Sequence, residues 1–83
     1  MIALTLYSRP GCHLCEDMKV IIARVAASVP GALYVDEVDI STDPELERRY
    51  GQEIPVLEIN GKKIAKYRVR EEDLRRVLAA PER

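Results

Sequence analysis

The dipeptide Asn60-Gly61 limits what this chain can become more than any other feature. Asn-Gly between two partly apolar runs is the strongest short signal for a two-residue β-hairpin turn, because both central residues must adopt a positive φ. It predicts an antiparallel pair formed by Val56–Ile59 and Lys62–Tyr67. A two-residue turn sets Ile59 opposite Lys62, Glu58 opposite Lys63, Leu57 opposite Ile64 and Val56 opposite Ala65. In that register opposite charges meet across the strands and apolar side chains share one face.

The segments before the hairpin alternate between periods of two and about 3.6. Ile2, Leu4 and Leu6 alternate with Ala3, Thr5 and Tyr7, a strand pattern that Ser8-Arg9-Pro10-Gly11 interrupts. Leu14, Met18, Ile21, Ile22, Val25 and Val29 recur at helical spacing, predicting a helix over about 13–28 that Pro30-Gly31 ends. Leu33–Ile40 reads as a second strand. Thr42-Asp43-Pro44-Glu45 reads as a helix start, with Thr42 as cap, an early Pro and Glu45 three positions on. That short helix ends at Tyr50-Gly51, and Glu45 and Arg49 have ion-pair spacing. After Ile54-Pro55 and the hairpin, a last helix is expected over about 70–80. Leu74, Val77 and Leu78 form its apolar stripe, with Glu71–Arg75 and Glu72–Arg76 as i,i+4 pairs.

The order is β-α-β-α-β-β-α. The first β-α-β is expected to be a right-handed parallel crossover, and the hairpin must be antiparallel. An α/β fold with one mixed four-stranded sheet and helices on both faces accommodates every element. Eighty-three residues allow one domain, spanning 1–83.

Composition removes several function classes. With 47% apolar and 33% charged residues the chain is not disordered, collagen-like or low in complexity. The longest apolar stretch, Val20–Val29, is broken by Arg24 and is half a membrane span long, and no signal peptide is visible after Met1. A soluble, cytoplasmic monomer without a membrane partner is expected. A net charge of −1 gives no global attraction to nucleic acid. The charge is unevenly spread: residues 1–60 carry five basic and ten acidic groups, residues 61–83 eight basic and four acidic. Lys62, Lys63, Lys66, Arg68 and Arg70 read either as a solvated hairpin edge or as a patch for an anionic partner.

Chemistry concentrates at Cys12-His13-Leu14-Cys15, where the first strand gives way to the first helix. From Cys15, helical steps reach Met18, Ile22 and Val25, so Cys15 should face the core, while Cys12 at the helix entrance should be exposed. Unpaired N–H groups and the positive helix end stabilise a thiolate at Cys12. Arg9 and a protonated His13 would add to this, whereas Glu16 and Asp17 oppose it. His13 reads first as a plain solvated side chain, and Tyr7, Tyr50 and Tyr67 read as half-buried packing residues rather than catalytic ones. The spacing suits attack by Cys12 on a disulfide, followed by attack of Cys15 on the Cys12 sulfur. Zinc would require four ligands, and only Cys12, Cys15 and His13 are near one another in sequence. Haem attachment would require His after the second Cys, where Glu16 stands. Two inert helix cysteines are the remaining alternative.

Leu4 to Arg9, Pro10-Gly11-Cys12-His13-Leu14-Cys15, Val38-Asp39-Ile40, Tyr50-Gly51, Ile54-Pro55-Val56 and the Asn60-Gly61 hairpin together resemble the glutaredoxin branch of the thioredoxin-fold family, closest to small bacterial glutaredoxin-like domains. The resemblance covers nearly the whole chain. It implies a thioredoxin-like fold and a thiol–disulfide active site at Cys12 and Cys15. It also implies a cis bond before Pro55 beside the cysteines, and a backbone at Ile54 that pairs with an extended substrate peptide or glutathione. Two departures stand out. Glutaredoxins place Pro-Tyr between the cysteines, where this chain has His-Leu. They precede the last helix with a Gly-Gly segment that helps hold a glutathione carboxylate, and here that region is Tyr67-Arg68-Val69-Arg70, with Arg68 and Arg70 as candidate carboxylate partners. The expected partner is a protein disulfide or a small thiol, with glutathione as a co-substrate and no resident cofactor or metal. The alternatives from the resemblance are a module that holds an iron–sulfur cluster between two chains, and a redox-inactive adaptor.

Overall fold

In a computed structural model that describes residues 2–28 and 33–79, the elements follow the expected order. They are β1 (Ile2–Ser8), α1 (His13–Ser28), β2 (Leu33–Asp39), a 3-10 turn (Ile40–Thr42), α2 (Pro44–Tyr50), β3 (Val56–Ile59), β4 (Lys62–Lys66) and α3 (Glu71–Ala79). The sheet order is β2-β1-β3-β4. β1 runs parallel to β2 from Ile2↔Leu33 to Ser8↔Asp39. It runs antiparallel to β3 from Leu4↔Ile59 to Tyr7↔Val56, and β3 is antiparallel to β4.

Strand alternation divides the apolar residues between two layers. Leu4, Leu6 and Leu57 face α1 and α3, where they are buried with Met18, Ile22, Val25, Leu74 and Leu78. The opposite face carries a smaller cluster of Ile40, Tyr50 and Val56, against which Tyr7, Leu46 and Ile54 pack, and α2 covers it. Helices on both faces are thus a direct result of the period-two pattern in β1 and β3.

The hairpin turn forms as its sequence requires: Asn60 and Gly61 have φ values of 50° and 87°. Asn60 also ties the turn to β1, donating its backbone N–H to the Ala3 carbonyl (2.8 Å) and accepting the Ala3 N–H on Oδ1 (3.1 Å). The register holds for Ile59↔Lys62 and Glu58↔Lys63, then shifts, so Leu57 meets Ala65 and Val56 meets Lys66. The extra residue is Ile64. A bulge lets the consecutive Ile64 and Ala65 both pack against the larger core, which a regular strand would prevent.

Other local expectations are corrected by side-chain competition. The cap of α2 is Asp43, whose carboxylate accepts the Glu45 N–H at 2.9 Å, while the Thr42 hydroxyl donates to the Asp39 carbonyl. Glu45 pairs with Arg48, and Arg49 lies over the Tyr50 ring, 5.2 Å from its centroid. On α3, Arg75 pairs with Glu71 as expected, but Arg76 pairs with Asp73 and Glu72 with Arg70. Val77 leaves the predicted stripe and is 44% exposed. β2 ends one residue early, with Ile40 in the 3-10 turn. Val29, Pro30-Gly31 and Ala80 lie outside the described residues.

Among the described side chains of α3, Leu74 and Leu78 are the buried apolar anchors, and substitutions at Leu74 and Val77 should separate cleanly. Leu74→Ala, at a position with no exposed surface, should cost about 2–5 kcal/mol of unfolding free energy. Val77→Ala should cost no more than about 0.5 kcal/mol. Urea titration followed by circular dichroism measures both.

Candidate active site

Four segments meet at one end of the sheet because of strand direction. β1 ends there and leads into the cysteine loop. β3 begins there, after Ile54-Pro55. β4 ends there and passes into Tyr67–Arg70, and β2 ends there at Asp39. Gly11, with φ of 81°, turns the chain between β1 and α1.

Cys12 occupies the capping position of α1. Its carbonyl accepts the Glu16 N–H at 3.1 Å, and its Sγ accepts the Cys15 N–H, also at 3.1 Å. Cys12 and Cys15 are joined as a disulfide with their Cα atoms 5.2 Å apart. Cys15 lies in the core with 1% of its surface exposed, as the helical spacing requires. Cys12 is half-buried rather than exposed, because its sulfur is turned back over the first helical turn onto Cys15. His13 is exposed at the first helical position.

Arg9 is directed elsewhere. Its guanidinium pairs with Glu47 and reaches the Gly51 carbonyl at 3.4 Å, both on the α2 side, and its buried Nε has no hydrogen-bond partner. Arg9 thus joins the cysteine loop to the end of α2.

The Ile54–Pro55 bond is cis. The Ile54 N–H donates to the Tyr50 carbonyl at 3.0 Å, and the Pro55 carbonyl accepts the Tyr67 N–H at 2.8 Å. Tyr67 also donates its hydroxyl to the Gln52 carbonyl at 2.9 Å, so one residue fastens the proline loop at two points. Its φ is 69°, and the Arg68 N–H closes a tight turn onto the Lys66 carbonyl at 2.8 Å. A non-glycine residue in this region costs about 1–3 kcal/mol, which the two tethers offset. Arg68 and Arg70 are exposed beyond that turn, and Arg70 is paired with Glu72 at 2.8 Å.

Packing tyrosines and a set of charged groups complete the site. Tyr7 and Tyr50 stack with centroids 4.3 Å apart beneath the proline loop, and burial, then Glu58 and Tyr50, push the Tyr7 hydroxyl above its usual range. On the other side of the cysteine loop, Ser8, Glu16, Lys19, Glu37 and Asp39 border a cleft of about 380 Å³. Buried Ser8 donates to Glu37 at 2.9 Å, and Lys19 bridges Glu16 (2.9 Å) and Glu37 (3.2 Å), which raises the Lys19 pKa. Glu16 and Lys19 meet at i,i+3 spacing within α1, whereas Ser8 and Lys19 reach Glu37 only when β2 pairs with β1. Among the described residues, no three of His, Cys, Asp and Glu gather as a metal-holding group. None of the described helices is long and apolar enough to cross a membrane.

The profile of the glutaredoxin-like domain (DUF836) family matches residues 3–79. The chain belongs to that family. A thioredoxin from Methanocaldococcus jannaschii is 28% identical over 61 residues, 72% of each chain. The X-ray structure of a structural-genomics target protein from X. campestris is similar at a TM-score of 0.74 and 37% identity, covering 94% of this chain and 99% of that one. A mutant thioredoxin from Halobacterium salinarum is similar at a TM-score of 0.67 and 17% identity, covering 93% of this chain and 71% of that one, a likeness of fold alone. This glutaredoxin-like domain therefore has the thioredoxin fold, and fold, family and bonded cysteine pair together support a redox-type function.

Asp39 offers an independent probe of the site end. The Ser41 hydroxyl (2.7 Å) and then the Ser41 N–H (2.9 Å) hold its carboxyl below the usual range. Its contribution to stability is present above the ordinary carboxylate pKa and is lost as pH falls through the depressed value. Ser41→Ala should raise the Asp39 pKa toward normal, read by NMR titration of the carboxyl carbon. An unchanged pKa would show that the backbone bond alone sets it.

Proposed function

We propose that this domain is a thiol–disulfide oxidoreductase with Cys12 as nucleophile and Cys15 as resolving cysteine. The observation that carries the proposal is the bonded pair at the N-terminus of α1, with the Cys15 N–H on the Cys12 sulfur at 3.1 Å. In the reduced protein that N–H, the other free amides of the first turn and the helix dipole favour the Cys12 thiolate.

The thiolate attacks one sulfur of a substrate disulfide. The substrate S–S bond breaks, a Cys12–substrate bond forms, and the first substrate sulfur leaves as thiolate. Cys15 gives up its proton and attacks the Cys12 sulfur, so that the Cys12–Cys15 bond forms and the second substrate sulfur leaves. Two electrons pass from the dithiol to the substrate, and the two protons lost by Cys12 and Cys15 are taken up by the released thiolates. The reverse sequence oxidises a dithiol substrate. His13, exposed and next to Cys12 in the chain, would supply positive charge to the thiolate when protonated.

The Pro55 ring is buried, so an extended substrate segment would rest against the half-buried Ile54 and the backbone of this loop. The Ile54 amide is engaged with Tyr50 in the free protein, so pairing with substrate through that N–H requires its release. Glutathione is proposed as a poor co-substrate, because Tyr67 and its tethered ring stand where glutaredoxins have glycines.

Alkylation with iodoacetamide, followed by mass spectrometry, should modify Cys12 at least about tenfold faster than Cys15 in the folded, reduced protein. Cys12→Ser should abolish exchange and Cys15→Ser should accumulate a mixed disulfide through Cys12. Equal alkylation rates, or exchange that survives Cys12→Ser, would refute the assignment. A visible absorption band in anaerobically purified protein would favour the cluster-binding alternative instead. Turnover of a glutathionylated peptide should be slower than that of a glutaredoxin measured beside it.

A further inference from the structure

The basic groups of this chain are mostly spoken for by carboxylates. Arg9, Lys19, Arg24, Arg48, Lys63, Arg70, Arg75 and Arg76 each form an ion pair. Among the described residues, Arg49, Lys62, Lys66 and Arg68 have no carboxylate partner. Of these, Lys66 and Arg68 border a cleft of about 480 Å³ between the end of β4 and the start of α3. Its apolar lining comes from Ile64, Ala65 and Val69, all packed against the larger core and half-buried. Two further charges at its margin are neutralised locally, Arg70 by Glu72 at 2.8 Å and Asp73 by Arg76 at 3.3 Å. The charge left for an incoming group is therefore that of Lys66 and Arg68.

The cleft is fixed to the active end of the sheet by Tyr67. That residue lies between the two cations in sequence, donates its N–H to Pro55 and its hydroxyl to Gln52, and keeps its ring 43% exposed. The Lys66 Nζ sits 5.6 Å from the ring centroid. The tight turn at Tyr67 delivers Arg68 to the cleft side directly after the residue that holds the proline loop. An apolar floor with two unpaired cations complements a short peptide segment carrying carboxylates, and it does not complement a basic one.

We propose that this cleft is the docking site for an acidic segment next to the reactive cysteine of a protein disulfide substrate, with Lys66 and Arg68 as its carboxylate partners. The assignment rests on Cys12 being the nucleophile, and it moves the carboxylate-binding role from the Arg68–Arg70 pair to Lys66 and Arg68, since Arg70 is held by Glu72. Recognition of this kind acts mainly on the rate of encounter, so it weakens with salt.

The test uses the full chain with Cys15→Ser. Two synthetic peptides of equal length each carry one cysteine as a mixed disulfide with thiopyridine; Asp and Glu flank it in one, Ser and Gln in the other. The rate of Cys12 exchange is followed by release of pyridinethione. The acidic peptide should react about tenfold faster than the neutral one at low ionic strength and lose that advantage at about 0.5 M salt. Lys66→Ala/Arg68→Ala should abolish the preference, and Lys66→Glu/Arg68→Glu should transfer it to a matched Lys-flanked peptide. Lys62→Ala, a charge removed from the same strand away from the cleft, should leave the preference in place. The preference is overturned if the two peptides react alike, if it survives the double substitution, or if Lys62→Ala removes it equally. A similar salt-sensitive rise in rate for the mixed disulfide of glutathione with thiopyridine over the neutral peptide would assign the cations to glutathione and overturn the peptide site. Failure of Cys12 to react even with dithiodipyridine would instead overturn the redox reading beneath it.

Discussion

Strand β1 is hydrogen-bonded on both edges and covered on both faces, and the geometry of everything else follows from it. Its pairing with β2 fixes where α2 begins, and its pairing with β3 fixes where the proline loop lies. Leu4 and Leu6 seat α1 and α3, while Tyr7 faces the α2 layer. Because the strand is held on every side, the direction in which it leaves the sheet after Ser8 is fixed as well. The positive φ at Gly11 then starts α1 with Cys12 at the cap. The position of both sulfurs thus depends on a strand that itself contains no cysteine.

What the sequence made legible was whatever short-range chemistry dictates alone. Asn60-Gly61 forces its turn, the α1 stripe points Cys15 inward, and the element order leaves one reasonable sheet. The unread parts are those in which two local solutions compete or a distant partner decides. Asp43 and Thr42 are both good caps, and Asp43 takes the role because Thr42 is already bonded to Asp39. The bulge at Ile64 follows from core shape, which favours burying two successive residues over keeping a regular ladder. Val77 belongs to the stripe by spacing but lies beyond the edge of what β4 and α1 can cover. Arg9 was read as a neighbour of Cys12 because they are close in the chain, yet its partner Glu47 is 38 residues away.

At the site, the two sulfurs belong to different parts of the molecule. Cys15 is a core residue whose position is shared with Met18 and Ile22 on the same helical face, so it moves only with α1. Cys12 sits half-buried at the helix start, its sulfur bonded to Cys15 and accepting the Cys15 N–H. The loop with Pro55 is fastened by Tyr67 on one side and Tyr50 on the other. Tethers of this kind hold the loop in one conformation, and a pre-ordered loop lowers the ordering cost of any binding there.

The two outer strands carry opposite signs. β2 exposes Asp36 and Glu37, and β4 exposes Lys62, Lys63 and Lys66. Unpaired strand edges are where sheets of separate molecules fuse, and like charge on an edge is a common protection against it. Here a symmetric meeting of two molecules sets lysine against lysine or carboxylate against carboxylate. A β2 edge against a β4 edge is electrostatically favoured by comparison, and such a contact is head-to-tail, giving a ring or an open chain according to the rotation between neighbours. Dissolved salt screens both effects, so the protection of each edge depends on the medium as much as on the chain.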